Sequence, residues 1–237
     1  MIVGHRGAAA LAPENTLAGI NKAADVGIHG IEIDVQLTAD GIPVIIHDET
    51  IDRCTNGSGE LASLTLKQLK QFDAGSWFDV AFFNEKVPTL EEVLALCLER
   101  KLSINLELKI HHENQVALLV ENVATAIKSS GFSFDQLLLS SFSMGAVEAC
   151  RRLLPDIRRG YLSEDKCFDY LKEVEYLDLY SVNVNQEILT VEMAKAITDR
   201  GYVINIWTLN DPDKLAQFKR WKVNDIITDN PLLFNRK

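Results

Sequence analysis

Two kinds of segment alternate along this chain from one end to the other. Short runs rich in β-branched and apolar residues are followed by stretches whose apolar residues recur at helical spacing. This alternation is typical of β-α units that build a parallel sheet. Eight strand candidates are found, the number that closes a (β/α)8 barrel. They are Ile2–His5, Gly30–Val35, Ser103–Lys109, Gln136–Ser140, Ile157–Tyr161, Leu179–Val184, Tyr202–Trp207 and Asp225–Thr228.

Helices are predicted between these strands. Leu90–Arg100 is a clear case, because Thr89 is a good N-cap and Glu92 completes a capping box. No Gly-, Ser- or Pro-rich linker divides the 237 residues, so we expect one α/β domain over residues 1–237 with a TIM-barrel fold. The other helices are expected at Glu14–Val26, Asn114–Ser130, Ser143–Leu154, Lys166–Glu173, Thr190–Arg200 and Pro212–Trp221.

The segment after the second strand interrupts the alternation. Val44–His47 is a further strand candidate, and residues 38–41 separate it from Gly30–Val35 without a helix. These residues end in Asp-Gly, which predicts a β-hairpin when it lies between two apolar runs. The chain is then polar and irregular as far as residue 88, with one short helix near Leu66–Phe72. We interpret residues 38–88 as a small insertion, of the kind that usually covers the active site of a barrel.

Two predicted barrel strands carry charged residues where buried parallel strands are normally apolar. Glu32 and Asp34 alternate along one strand and therefore share a face. Glu107 and Lys109 alternate along another. If these faces point into the barrel, and not outward to helix lysines, three carboxylates meet near its axis. A cation would relieve a repulsion of about 4 kcal/mol between two such charges at 4 Å, and all-oxygen ligation predicts one divalent ion, Mg²⁺ or Ca²⁺.

Two histidines are expected beside these carboxylates. His5 ends the first strand, and catalytic side chains of barrels lie at such strand ends. His47 ends the second strand of the predicted hairpin. A two-residue turn at Asp40-Gly41 would place it opposite Asp34, and a turn one residue earlier would place it opposite Glu32. Both registers bring His47 to the carboxylates, and only a bulged turn would break the inference.

The residues next to these positions suit a phosphate ligand. Arg6 directly follows His5, and the planar guanidinium group can bind two phosphate oxygens. Trp207 ends the seventh strand candidate and lies either in the core or at the barrel rim. The polar Thr208 and Asn210 that follow it favour the rim. Spacing alone therefore predicts a site for a metal ion and a phosphate group.

Composition limits the other classes of function. The net charge of −10 argues against a general nucleic-acid binder and against attachment to anionic lipid. The longest apolar runs are far shorter than the roughly 20 residues that span a bilayer, and stable membrane association is not expected. The four cysteines form no C-x-x-C pair, and the N-terminus lacks a leader pattern, so a cytoplasmic location is expected. The oligomeric state cannot be predicted.

An ordered set of short motifs resembles the signature of bacterial glycerophosphodiester phosphodiesterases. The motifs extend across nearly the whole chain, and the set is far more specific than any one of them. They are His5-Arg6-Gly7, Pro13-Glu14-Asn15-Thr16, Glu32-Ile33-Asp34-Val35, His47-Asp48, Glu107-Leu108-Lys109, Ser141-Phe142, Trp207-Thr208 and Ile227-Thr228-Asp229.

The resemblance implies metal-dependent hydrolysis of a small glycerophosphodiester to glycerol 3-phosphate and an alcohol. It implies His5 and His47 as the acid–base pair. It implies Glu32, Asp34 and Glu107 as the metal ligands. Arg6, Lys109 and Trp207 are then the expected substrate-binding residues. Two other interpretations are a phospholipase-like enzyme that acts on intact lipid and a non-catalytic barrel that binds metal and phosphate.

Overall fold

The computed structural model describes residues 1–234, which contain a closed barrel of eight parallel strands and one antiparallel strand beside it. The strands are β1 (Ile2–His5), β2 (Gly30–Leu37), β3 (Pro43–Ile45), β4 (Ser103–Leu108), β5 (Leu137–Ser141), β6 (Arg158–Ser163), β7 (Ser181–Asn185), β8 (Val203–Trp207) and β9 (Val223–Thr228). β1 pairs with β2 on one side and with β9 on the other, which closes the barrel. β3 pairs with β2, and Val44 of β3 forms an isolated antiparallel bridge with Thr89. The predicted (β/α)8 fold is confirmed, and residues 235–237 of the expected domain lie outside the described residues.

The helices lie between the strands in sequence. They are α1 (Leu17–Asp25), α2 (Leu66–Leu69), α3 (Leu90–Arg100), α4 (Val116–Ser130), α5 (Met144–Leu153), α6 (Tyr170–Glu173), α7 (Val191–Asp199) and α8 (Leu215–Arg220). The capping box predicted for α3 is present, since the Thr89 hydroxyl accepts from the Glu92 amide and the Glu92 carboxylate accepts from the Thr89 amide. Among residues 1–234, no helix combines the length and the hydropathy that crossing a bilayer requires.

Two predicted helices begin at least three residues later than expected, with no 3-10 turn directly before them. The first starts at Leu17 and not at Glu14, because the Thr16 side chain accepts from the Gly19 amide and acts as the N-cap. Glu14 therefore lies outside the helix. The helix expected at Lys166–Glu173 is reduced to the single turn of α6. The Asp165 side chain accepts from the Cys167 amide there and favours a turn instead of a helix.

The barrel interior is polar where the strands carry charged or amide residues. Ile31, Ile33 and Val35 of β2 belong to the apolar layer between sheet and helices and are fully buried. The intervening residues of β2 point to the other face, into the barrel. Amides of other strands fill the interior, where the Asn205 amide donates to the Asn183 oxygen at 3.0 Å. The alternation therefore directs the acidic residues of β2 toward the axis.

The insertion, residues 38–88, has an apolar core of its own. It begins with the β2–β3 hairpin, and one turn of helix, α2, follows. The buried residues of this separate core are Val44, Ile46, Ile51, Leu61, Leu69, Ala74 and Val87. Because this cluster packs independently of the layer between sheet and helices, the insertion forms a small ordered unit that carries His47.

Candidate active site

Three carboxylates converge inside the barrel. The parallel register of β2 and β4 pairs Asp34 with Glu107, and Glu32 lies two residues earlier on the same face of β2. One ligand oxygen from each of the three lies within 4.8 Å of the others, and all three residues are buried. The predicted meeting of acidic side chains from two strands is therefore present in the structure.

The electrostatics of this cluster fit a bound cation. Burial raises the pKa of Glu32 well above its usual range, and the charges of Asp34 and Glu107 raise it further. Burial, followed by the charge of Asp34, raises the pKa of Glu107 to about 7, even though Lys109 forms an ion pair with it. Carboxylates that resist ionisation alone become stable anions beside a divalent ion, and all-oxygen ligands suit Mg²⁺ or Ca²⁺.

His5 lies at the end of β1 with its two nitrogens in different environments. Its Nδ1 lies 2.6 Å from Oδ1 of Asp229, whose other oxygen accepts from the Asn210 amide at 2.6 Å. Its Nε2 lies 3.8 Å from Oε2 of Glu32. Burial raises the pKa of Asp229, but the hydrogen bond and charge of His5, the hydrogen bond from Asn210 and the charge of Arg6 together outweigh burial and lower the pKa. Asp229 therefore orients the imidazole so that Nε2 faces the carboxylate cluster.

His47 lines the same cavity and is held in a similar way. Its Nδ1 lies 2.7 Å from Oδ1 of Asp48, and its Nε2 lies 3.2 Å from Nζ of Lys109. Burial lowers the pKa of His47, because it disfavours the charged imidazole. Each histidine thus has Nδ1 on an aspartate and Nε2 toward the centre of the site.

Both predicted hairpin registers are wrong, although His47 reaches the predicted place. The loop has three residues, 39–41, with Gly41 at φ +76°, and the ladder pairs Val35 with Ile45. Ile46 and not His47 therefore lies opposite Asp34. The chain leaves the ladder after β3, and this departure brings His47 to the site.

Beyond β3, hydrogen bonds from the Gln36 side chain take the place of backbone pairing between strands. The Gln36 amide nitrogen donates to the carbonyl oxygens of Ile46, His47 and Asp48 at 2.9, 3.0 and 2.8 Å. These bonds satisfy backbone groups that a regular strand would have paired, and they fix the path of the chain through His47.

The two predicted phosphate-binding cations lie next to the carboxylates. The backbone turns at Arg6, with φ 50°, and at Gly7, with φ 92°, and Nε of Arg6 then lies 3.5 Å from Asp34. Lys109 Nζ lies 2.8 Å from Glu107. Burial lowers the pKa of both cations, but the carboxylates outweigh it and raise the pKa in each case. Both side chains therefore stay cationic beside the cluster.

Trp207 lies at the rim, as predicted. It is half-buried at the end of β8, and its ring meets that of Phe142 edge-on at 5.6 Å between centroids. Both rings border a cavity of about 100 Å³ that His5 and His47 also line. The aromatic pair forms an apolar part of the cavity wall, and Lys109 Nζ lies 5.8 Å from the centroid of the Phe142 ring.

Several residues of the site were not assigned by the sequence. Asp48 and Asp229 orient the imidazoles, and their position directly after strand candidates was an available signal. Asn15 donates to Asp34 at 2.8 Å. Glu14 accepts from Arg6 at 2.6 Å and is bound in turn by Arg53. Arg53 had no sequence signal, because its contact depends on the path of an irregular loop.

Fold and site together define this chain as a (β/α)8-barrel enzyme with a carboxylate cluster and two imidazoles at one cavity. A model of the glycerophosphoryl diester phosphodiesterase family matches residues 5–233. The chain therefore belongs to this family.

Individual relatives match the chain at nearly full length. The YhdW protein of Bacillus subtilis is 36% identical over 97% of this chain and 94% of its own. A glycerophosphodiester phosphodiesterase of Caldanaerobacter subterraneus is 32% identical over 98% and 94%. Among solved structures, a phosphodiesterase of Oleispira antarctica in complex with the product sn-glycerol-3-phosphate has a TM-score of 0.94 and 33% identity, over 99% of this chain and 94% of that one.

Proposed function

We propose that this protein hydrolyses glycerophosphodiesters to glycerol 3-phosphate and an alcohol, in a reaction that depends on one divalent cation. The observation that carries the proposal is the buried cluster of Glu32, Asp34 and Glu107 at one cavity with two oriented imidazoles. The Oleispira antarctica structure, with sn-glycerol-3-phosphate as its product, supports the choice of substrate class.

The cationic groups are proposed to bind and stabilise the phosphoryl group. Glu32, Asp34 and Glu107 would hold the divalent ion, and the bound ion would supply electrophilic polarisation of a phosphoryl oxygen. The guanidinium of Arg6 and the ammonium of Lys109 both line the cavity and would stabilise charge that develops on the remaining oxygens. The buried setting strengthens these interactions, because little water competes for them.

The two histidines are proposed to move protons at their Nε2 atoms. With Nδ1 held by an aspartate in each case, Nε2 is the atom left to act on substrate. One of the two, His5 or His47, accepts a proton from the nucleophile, and the other donates a proton to the departing alkoxide. The nucleophile is water or the glycerol hydroxyl next to the phosphate.

Hydrolysis of intact lipid is the alternative reaction, and one feature of the insertion favours it. Val80 and Phe83 are 80% and 74% exposed and give this segment an apolar surface. An enzyme that acts on membranes needs such a surface to reach its substrate. Release of product from glycerophosphocholine but not from phospholipid vesicles would exclude this alternative. A cytoplasmic location is proposed together with the small substrate.

The test is an assay of glycerol 3-phosphate release from glycerophosphocholine. We expect turnover with Mg²⁺ or Ca²⁺, loss of turnover in EDTA, and recovery when either ion is restored. Full turnover after exhaustive chelation would contradict metal dependence. Absence of turnover with every divalent ion, in folded protein that binds the ion, would support the non-catalytic barrel and refute the enzyme.

A further inference from the structure

We propose that Arg53 is a positioning residue for this reaction, which fixes His47 and Arg6 through the carboxylates that hold them. The inference rests on the proposed function and extends it to a residue outside the barrel. Arg53 belongs to the insertion, residues 38–88, and does not line the cavity that contains the histidines.

One half of the arrangement concerns His47. Nε of Arg53 donates to Oδ2 of Asp48 at 2.7 Å, and Nη2 donates to Oδ1 at 3.0 Å. The same Oδ1 atom lies 2.7 Å from Nδ1 of His47. The two parallel bonds fix the plane of the carboxylate, and the carboxylate fixes the direction of the imidazole.

The other half concerns Arg6. Nη1 and Nη2 of Arg53 donate to the two oxygens of Glu14 at 2.8 and 2.9 Å. Glu14 Oε1 also accepts from Nη1 of Arg6 at 2.6 Å. Burial raises the pKa of Glu14, but Arg53 and Arg6 outweigh it and lower the pKa to about 2. Glu14 is therefore a permanent anion between two guanidinium groups.

The guanidinium geometry is essential to this arrangement. The planar guanidinium of Arg53 donates two hydrogen bonds to each of two carboxylates, Asp48 and Glu14, so that four of its N–H groups are engaged at once. A lysine carries the same charge but is a single point donor that cannot hold both carboxylates in their planes. The Arg53 side chain is 44% exposed, and ion pairs of that exposure contribute little to stability. Its removal is therefore expected to disturb alignment more than folding.

The test compares Arg53→Gln and Arg53→Lys with wild type in the cation-loaded enzyme. We expect kcat/KM for glycerophosphocholine to fall about ten- to hundredfold in Arg53→Gln, the usual effect of misplaced catalytic groups. Arg53→Lys should recover only part of the loss, since it restores the positive charge but not the paired N–H donors of the guanidinium. The matched control is Arg100→Gln, which removes a guanidinium that binds Asn21 and Asp25 away from the site and should leave kcat/KM unchanged.

Two further measurements separate positioning from a structural role. In a double-variant cycle, Arg53→Gln should add less to the loss caused by Asp48→Asn than it causes alone, because the effect on His47 runs through the same carboxylate and only the effect on Arg6 through Glu14 remains. In an NMR titration, Arg53→Gln should raise the pKa of His47, since Asp48 loses its cationic partner and its full charge then favours the protonated imidazole.

Three results would overturn the proposal. They are kcat/KM within twofold of wild type in Arg53→Gln, an equal loss in Arg100→Gln, and full additivity with Asp48→Asn. If Arg53→Gln does not fold, Arg53→Lys becomes the test. Wild-type kcat/KM in that variant would refute the claim that the guanidinium geometry positions the site. Inactive wild-type protein would instead refute the proposed function, so that the two failures are distinct.

Discussion

At the scale of single residues, the two imidazoles carry the proton transfers of the proposed reaction. His5→Ala and His47→Ala should each lower kcat by at least about a hundredfold, the usual contribution of one general acid or base. The control is His29→Ala, which removes an exposed histidine of the turn before β2 and should have no effect on kcat. Near wild-type turnover in either site variant would contradict its assigned role.

The raised pKa values of the acidic cluster link cation binding to pH. Glu107, with a pKa of about 7 in the cation-free protein, must lose its proton before it can bind the ion. Acidification through pH 7 keeps that proton bound, so cation affinity should weaken as pH falls and strengthen as pH rises. Calorimetry at pH 6.5 in buffers of different ionisation enthalpy should show proton release on binding of Mg²⁺. Binding without proton release would contradict the prediction.

The residues that the sequence could locate are those in a regular strand pattern. Glu32, Asp34 and Glu107 break the apolar alternation of buried strands, and this conflict between charge and position was visible without a structure. Asp229 and Arg53 gave no such conflict. Their roles depend on which side chains loops bring together, and propensity does not encode those distances.

At the scale of elements, the insertion connects stability to the site because it carries His47. Leu69→Ala removes a fully buried side chain from its apolar cluster and should destabilise that cluster by about 2–5 kcal/mol. We expect faster hydrogen exchange within residues 38–88 and reduced turnover. The exchange rates of the barrel strands should change much less. The control is Leu98→Ala on α3, a leucine that is half exposed. Unchanged exchange in the insertion of Leu69→Ala would contradict an independent cluster.

The hairpin between β2 and β3 could be predicted from the sequence, but its register could not. Its existence followed from Asp40-Gly41 between two apolar runs, but the length of the loop did not. A three-residue loop changes the register by one residue relative to either two-residue turn, which reverses the face of every later side chain. Gln36 then holds the chain beyond β3. A buried side chain that bonds to three carbonyl groups cannot be inferred from a local pattern.

At the scale of the whole molecule, barrel closure brings distant parts of the chain to one point. β1 joins β2 and β9, so that His5 meets Asp229, 224 positions later in the sequence, and Glu32 of the neighbouring strand. The strand count predicted this closure, because eight parallel strands close a barrel. The sequence left the oligomeric state undetermined, and its prediction would require knowledge of which exposed surfaces are covered.

The central claim is that three carboxylates from β2 and β4 hold one divalent ion between two imidazoles. A crystal structure grown with Mn²⁺, with anomalous data, tests it directly. We expect one strong peak within bonding distance of Glu32, Asp34 and Glu107, with Nε2 of both histidines facing the same cavity. Crystals of active protein with no peak at these residues, or with the ion bound elsewhere, would contradict the account.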